Sequence, residues 1–199
     1  MRLILVFAVA ALVPSVAASQ TRCPTASDLS KGIRVDRSGG FTEVFRQGGQ
    51  GIIAVDGSVG GDLEYRLELA YGLQLLSYTG NAGDTPVTDD GLLYDYGVPV
   101  ADLPAPVPGG RWQSEVTVTS FGGTYQEPQL YGFGPASGIL IGDCQYAMIE
   151  VTIAYQNDAN YFETVQFLPD LGIGVLVRQD DDISEPTVFT IDRIGIARQ

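Results

Sequence analysis

This sequence predicts an all-β protein: an antiparallel curved sheet or open barrel, built as two β-meander halves, with one short N-terminal helix. Three observations carry that expectation. From Leu63 to Leu75 every odd position is apolar and the even positions are mostly polar or small, the alternation of a strand with one wetted face. From Asp143 to Arg178 two strand-length apolar runs flank Gln156, Asn157, Asp158, Ala159 and Asn160, and Asn and Asp tolerate the backbone reversal of a hairpin. The 25 glycines and 11 prolines favour turns over helix.

Taken in order, residues 1–18 read as a secretory signal peptide. Arg2 opens it, an apolar run follows from Leu3 to Val13, and small residues lead to a cleavage site near Ala17 or Ala18. Residues 19–199 then form a single β domain, secreted or periplasmic. Arg22 and Gln20 stand where a lipid-attachment signal needs small and aliphatic residues before its cysteine, so Cys23 is expected to be unlipidated. Cys23 and Cys144 are the only cysteines, and in an exported chain they are expected to pair.

Pro24 to Lys31 is the one stretch with a helix signal. Gly32 to Arg37 and Phe41 to Gln47 flank Ser38-Gly39-Gly40 as a hairpin with a three-residue loop. A strand from Ile52 to Val55 is expected to end at Asp56-Gly57, and the alternating run over 63–75 follows as one long strand. Segment 81–110, with five prolines, reads as a connection between halves at about 32–80 and 111–198. Alternation resumes with Trp112, Ser114, Val116 and Val118 on one face. Phe121 to Gly138 reads as irregular.

Beyond it, Cys144, Tyr146 and Met148 share one parity, while Ile149, Val151, Ile153 and Tyr155 share the other. A phase switch of that kind is expected from a β-bulge. A last strand runs from Pro186 to about Ala197. The stretch around Gly72 can be laid over that around Gly172 as a weak internal repeat.

Composition removes whole classes of chemistry. There is no histidine, which excludes Ser-His-Asp and Cys-His catalysis and His-ligated metals. With 24 acidic against 11 basic residues the net charge is −13, a sign that opposes nucleic acid and anionic membrane surfaces. No cofactor signature is present. Asp84, Asp89 and Asp90 are weak calcium candidates that lack the ligand spacing of an EF-hand loop, and solvated charge is the plainer reading.

Aromatic residues are the remaining candidates. Tyr65, Tyr71 and Tyr146 lie on apolar-parity positions and read as core. Tyr94, Tyr96, Tyr125 and Tyr131 lie in segments read as irregular, and are the candidate contacts for an apolar ligand.

The phrase QFLPDLGIGVLVR, Gln166 to Arg178, resembles a strand-turn-strand element of small exported bacterial β-proteins related to the periplasmic half-barrel lipid and lipoprotein carriers. The resemblance covers a minority of the chain. It implies a curved antiparallel sheet around an apolar concave face, with a ligand-holding or partner-holding role. This sequence departs from those proteins in having no predicted helix to cover such a sheet, and no functional residue is carried over.

The leading expectation is a non-catalytic envelope protein that binds an apolar ligand or a protein partner along one sheet face. A small outer-membrane β-barrel is one alternative. A carboxylate-based hydrolase is another, and it requires two acids facing one cleft.

Overall fold

The computed structural model describes residues 22–82, 85–86, 91–156, 161–181 and 183–198. Asp84, Asp89, Asp90 and the hairpin residues Asn157 to Asn160 lie outside the described residues, as does the expected signal peptide.

The fold is all-β. A short 3-10 turn at Ala26–Ser30 takes the place of the expected helix. The strands are β1 (Ile33–Arg37), β2 (Phe41–Gln47), β3 (Ile52–Val59), β4 (Asp62–Ala70), β5 (Gln74–Ala82), β6 (Thr85–Pro86) and β7 (Leu92–Asp95). They continue as β8 (Arg111–Ser120), β9 (Gly123–Ile141), β10 (Cys144–Tyr155), β11 (Tyr161–Leu168), β12 (Ile173–Asp180), β13 (Thr187–Val188) and β14 (Ile191–Ile196). All described pairings are antiparallel, in the ladder order β13-β12-β11-β10-β9-β8-β7-β5-β4-β3-β2-β1-β14, with β6 attached to β5 alone.

The sheet is curved and does not close into a barrel. Its two edges are nevertheless consecutive pieces of the expected last strand, which breaks at Phe189-Thr190. The Phe189 amide donates to Val177 O on β12, whereas Thr190 O accepts from Ser38 N beside β1. The ladder thus stays open between β13 and β14 while one covalent segment spans the gap.

Curvature brings distant strands onto a common core. Ile33, Val35 and Phe45 from the start of the ladder pack in one cluster with Leu168, Ile173 and Val175 from its far end. Each such side chain, fully buried, stabilises the fold by roughly 1.5–3 kcal/mol. The Cys23–Cys144 disulfide ties the N-terminal segment to the start of β10.

Several expectations are corrected. The run over 63–75 is a hairpin, β4 turning into β5 at Tyr71-Gly72, where both residues have positive φ of 49° and 69°. The register pairs Leu69 with Leu75 and Ala70 with Gln74, so cross-strand partners share parity and the alternation passes through the turn unbroken. Tyr71 is therefore a turn residue, not core. β3 continues past Asp56-Gly57 to Val59 because Gly57 makes room for the Tyr65 ring, which lies flat against it.

The stretch over 121–138, read as irregular, lies largely within the 19-residue strand β9. Its first part pairs with β8 and its last with β10, so Pro128 and Pro135 each fall where β9 has one ladder neighbour. The register does slip at Ile149/Val151 as the parity switch suggested, with the surplus residue carried by β9 at Gly134-Pro135. Segment 81–110 is not merely a connection. β7 within it pairs with β5 on one side and β8 on the other, joining both halves into one sheet.

Candidate functional site

The inner faces of β1, β2 and β4 meet those of β10, β11 and β12 across a cavity of about 320 Å³. Phe45, Val55, Leu67, Leu69, Leu73 and Leu75 line it from one side, and Ile153, Val165 and Leu176 from the other. Tyr78, more exposed than these, stands at its rim and stacks on Tyr65 with ring centroids 6.3 Å apart.

Polar residues interrupt the apolar wall, and three of them, Arg37, Glu43 and Tyr65, form one group. Ile33 and Val35 put the odd positions of β1 inward, so the strand ends by burying Arg37, which is 4% exposed. Arg37 Nη1 donates to Leu176 O at 2.9 Å, and Nη2 donates to Glu43 Oε1 at 3.0 Å and to Tyr65 Oη at 3.2 Å. Its guanidinium carbon lies 5.3 Å from the Phe41 ring centroid and 4.7 Å from that of Phe189, a cation–π contact with each of two rings that themselves meet edge to face. Glu43, 5% exposed, also accepts from the Tyr65 hydroxyl at 2.6 Å. Burial pushes the Glu43 carboxyl above the ordinary range, while the charge of Arg37 pulls it back. Among the described residues, Arg37 Nε and Glu43 Oε2 are buried without a hydrogen-bond partner.

A second carboxylate, Glu163 of β11, faces the same cavity. It accepts from Tyr155 at 2.8 Å and from Tyr161 at 3.0 Å, and Gln179 donates to the Tyr161 hydroxyl at 2.6 Å. Burial raises the Glu163 carboxyl, against the pull of these hydrogen bonds.

The tyrosines expected as ligand contacts lie beside this carboxylate end, and three of them are drawn inward. Tyr131 on β9 is 1% exposed, and Tyr96, just past β7, is 7% exposed. Their hydroxyls lie 3.2 Å apart and share Gln129 Oε1 as acceptor, while Gln129 donates to Glu127 at 2.8 Å. Trp112 packs between them, 5.6 Å from the Tyr96 ring and 4.9 Å from the Tyr131 ring. Tyr94 on β7 is partly buried, with its acidity lowered by burial and by nearby Glu127, Tyr125 and Glu163. Tyr125 is 46% exposed. The side chains of Tyr96 and Tyr131 are thus committed to a polar network inside the sheet.

Arg37, Glu43 and Glu163 escaped the sequence reading although a signal existed. Each is a charged residue on the apolar parity of its strand: Arg37 after Ile33 and Val35, Glu43 between Phe41 and Phe45, Glu163 before Val165 and Phe167. A wider hollow of about 430 Å³, lined by Leu29, Ile52, Phe167 and Leu171 among others, lies apart from these groups. No cluster of three or more potential metal ligands occurs among the described residues.

Fold and site together define a class: a curved antiparallel sheet wrapped around an apolar cavity that holds a buried ion pair. No family model matches this chain, and no curated protein does. Among solved structures, the hypothetical lipoprotein YmcC from Escherichia coli is similar to it at a TM-score of 0.42 and 11% identity, over 81% of this chain and 86% of that one.

Proposed function

We propose that this chain is an exported, non-catalytic envelope protein that holds an apolar ligand between the two flanks of its curved sheet. One observation carries the reading: the interior is not filled by its own side chains, and about 320 Å³ remains between facing aliphatic walls. That volume lies at the lower end of small-molecule sites, roughly 300–1,000 Å³. Side chains that line an unfilled cavity of this kind lack dispersion partners on one side, and an apolar occupant supplies them.

The direct test is titration with the neutral fluorophore N-phenyl-1-naphthylamine. One saturable site is expected, and Leu67→Trp, which fills the cavity from its wall, is expected to abolish it. A flat titration, or one indifferent to Leu67→Trp, sinks the proposal. Export is tested separately by the mass of the protein recovered from the periplasm, which should correspond to cleavage near Ala17 or Ala18.

The outer-membrane alternative is opposed by the sheet's polarity. Glu64, Arg66 and Glu68 of β4 point to the exposed face and Leu67 and Leu69 to the interior, the reverse of a lipid-facing strand. The hydrolase alternative has one observation in its favour, since Glu43 and Glu163 line a single cavity and burial raises both. Turnover of nitrophenyl glycosides that is lost in Glu163→Gln would promote it; the present reading expects none.

A further inference from the structure

The two carboxylates of the cavity differ in access and in charge balance. The bond between Arg37 and Glu43 is sealed inside the sheet, whereas the bonds that Tyr155 and Tyr161 donate to Glu163 are only partly buried. Tyr155, Glu163 and Gln179 all line the cavity, and each is half-buried. Glu163 also has no counter-ion, since among the described residues no ion pair includes it. The charged residues lining the cavity are Arg37, Glu43 and Glu163, and the first two balance each other. The β11 end of the cavity therefore carries the surplus negative charge. A carboxylate in partly dry surroundings is costly without a cation. Tyr155, Tyr161 and Gln179 fill three of its roughly four acceptor sites.

Resting on the apolar-ligand reading above, we infer that the occupant is a single-chain aliphatic amine, its ammonium group seated on the Glu163 carboxylate beside Tyr155 and its chain lying among Leu67, Leu75, Ile153 and Leu176. An ammonium only donates and an ionised carboxylate only accepts, so the two are matched in hydrogen bonding as well as charge. Aromatic faces add to the fit, and the Tyr155 and Tyr161 rings that serve the carboxylate lie 5.4 Å apart. Burial and the charge of Glu127 push the Glu163 carboxyl upward, and a bound cation opposes both. An anionic head meets the unbalanced charge with the wrong sign, and a neutral head leaves it unbalanced. The volume, about 320 Å³, corresponds to roughly ten water-sized units at ~30 Å³ each, which suits one short chain and not the paired long chains of a phospholipid.

The test ranks three eight-carbon competitors against N-phenyl-1-naphthylamine at neutral pH: octylammonium, 1-octanol and octanoate. Octylammonium is expected to displace the dye at least about tenfold more effectively than 1-octanol, the worth of a hydrogen bond between charged groups. Octanoate is expected to be the weakest. In Glu163→Gln the advantage of octylammonium over 1-octanol should vanish, whereas attraction to the acidic chain as a whole, of net charge −13, would survive the substitution. Equal potency of octylammonium and 1-octanol, octanoate as the strongest competitor, or an undiminished advantage in Glu163→Gln overturns the amine assignment while leaving the cavity reading intact. Absence of dye binding in the unmodified protein overturns the cavity reading itself. Should Glu163→Gln fail to fold or to take the dye, salt decides on the unmodified protein. At about 1 M sodium chloride, where the screening length falls to about 3 Å, a preference seated on the half-buried carboxylate persists, and one that collapses to parity overturns the assignment.

Discussion

The backbone amide of Gly174 donates to the carbonyl of Gly72 at 2.8 Å, joining the β4–β5 turn to the start of β12. These elements lie far apart in the ladder, so the bond crosses the interior and holds the two flanks of the sheet at a set separation. Both residues are glycine for a steric reason. A Cβ on Gly72 would collide with Gly172 O and come within 2.9 Å of Ile173 Cα, and a Cβ on Gly174 would come within 2.7 Å of Gly72 O.

Gly72→Ala is therefore expected to destabilise the protein by about 3 kcal/mol or more, combining left-handed strain with overpacking against backbone that cannot yield. Urea unfolding followed by tryptophan fluorescence measures this. A loss below about 0.5 kcal/mol, within the range of an indifferent surface change, would show that the flanks are not held here.

Removing one partner of the buried ion pair should be far worse than removing both. Arg37→Met leaves Glu43 charged and buried, with an expected cost of about 3–5 kcal/mol, whereas Arg37→Met/Glu43→Leu should be close to neutral. A double-mutant cycle in urea supplies the comparison, and equal losses in both variants would contradict it.

Stability should depend on the protonation of Glu163. Burial raises its carboxyl above the ordinary 4.5, so the folded state retains a proton that the unfolded chain has released. The resulting contribution is fully present below about 4.5 and is lost as pH rises through the raised folded value. Asp28, Asp36 and Asp181 are shifted downward from 3.8 and act in the opposite sense, at lower pH. Glu163→Gln is expected to flatten the fall in stability above pH 4.5, with Glu43, also raised, supplying the remainder. An unchanged pH profile in that variant would remove Glu163 from the titrating set.

The disulfide closes a sequence separation of 121 residues. In the chain-entropy model a loop of this size contributes about 5 kcal/mol, so Cys23→Ser/Cys144→Ser should lower the urea midpoint by the corresponding amount. Adding reductant to the unmodified protein should reproduce the shift.

Local pattern made most of the sheet legible, because alternation and turn residues report directly on which face of a strand is wet. It failed where two structures share one pattern. The β4–β5 hairpin keeps odd positions inward on both arms as far as Leu75, before the register shifts and Tyr78 turns inward, so Leu63 to Leu75 reads as a single strand unless Tyr71-Gly72 is taken as the punctuation. β9 failed differently, since prolines usually end a strand but are tolerated where a neighbouring strand is missing on one side. The pairing of Cys23 with Cys144 followed from their being the only two cysteines. The cavity did not follow from sequence at all. It depends on how far β2 lies from β11 across the interior, a distance that no stretch of consecutive residues encodes, and the only hint was charge placed on inward parity at Arg37, Glu43 and Glu163.

Ile33 of β1 pairs with Ile196 of β14, and no segment nearer in sequence takes that side of β1. During synthesis the first strand therefore waits, half-zipped, until residues beyond about 187 emerge. The local hairpins from β1 to β5 can zip as they are made, yet the outer side of the first strand is sealed only by β14, so the sheet is finished by joining its two most distant pieces of sequence.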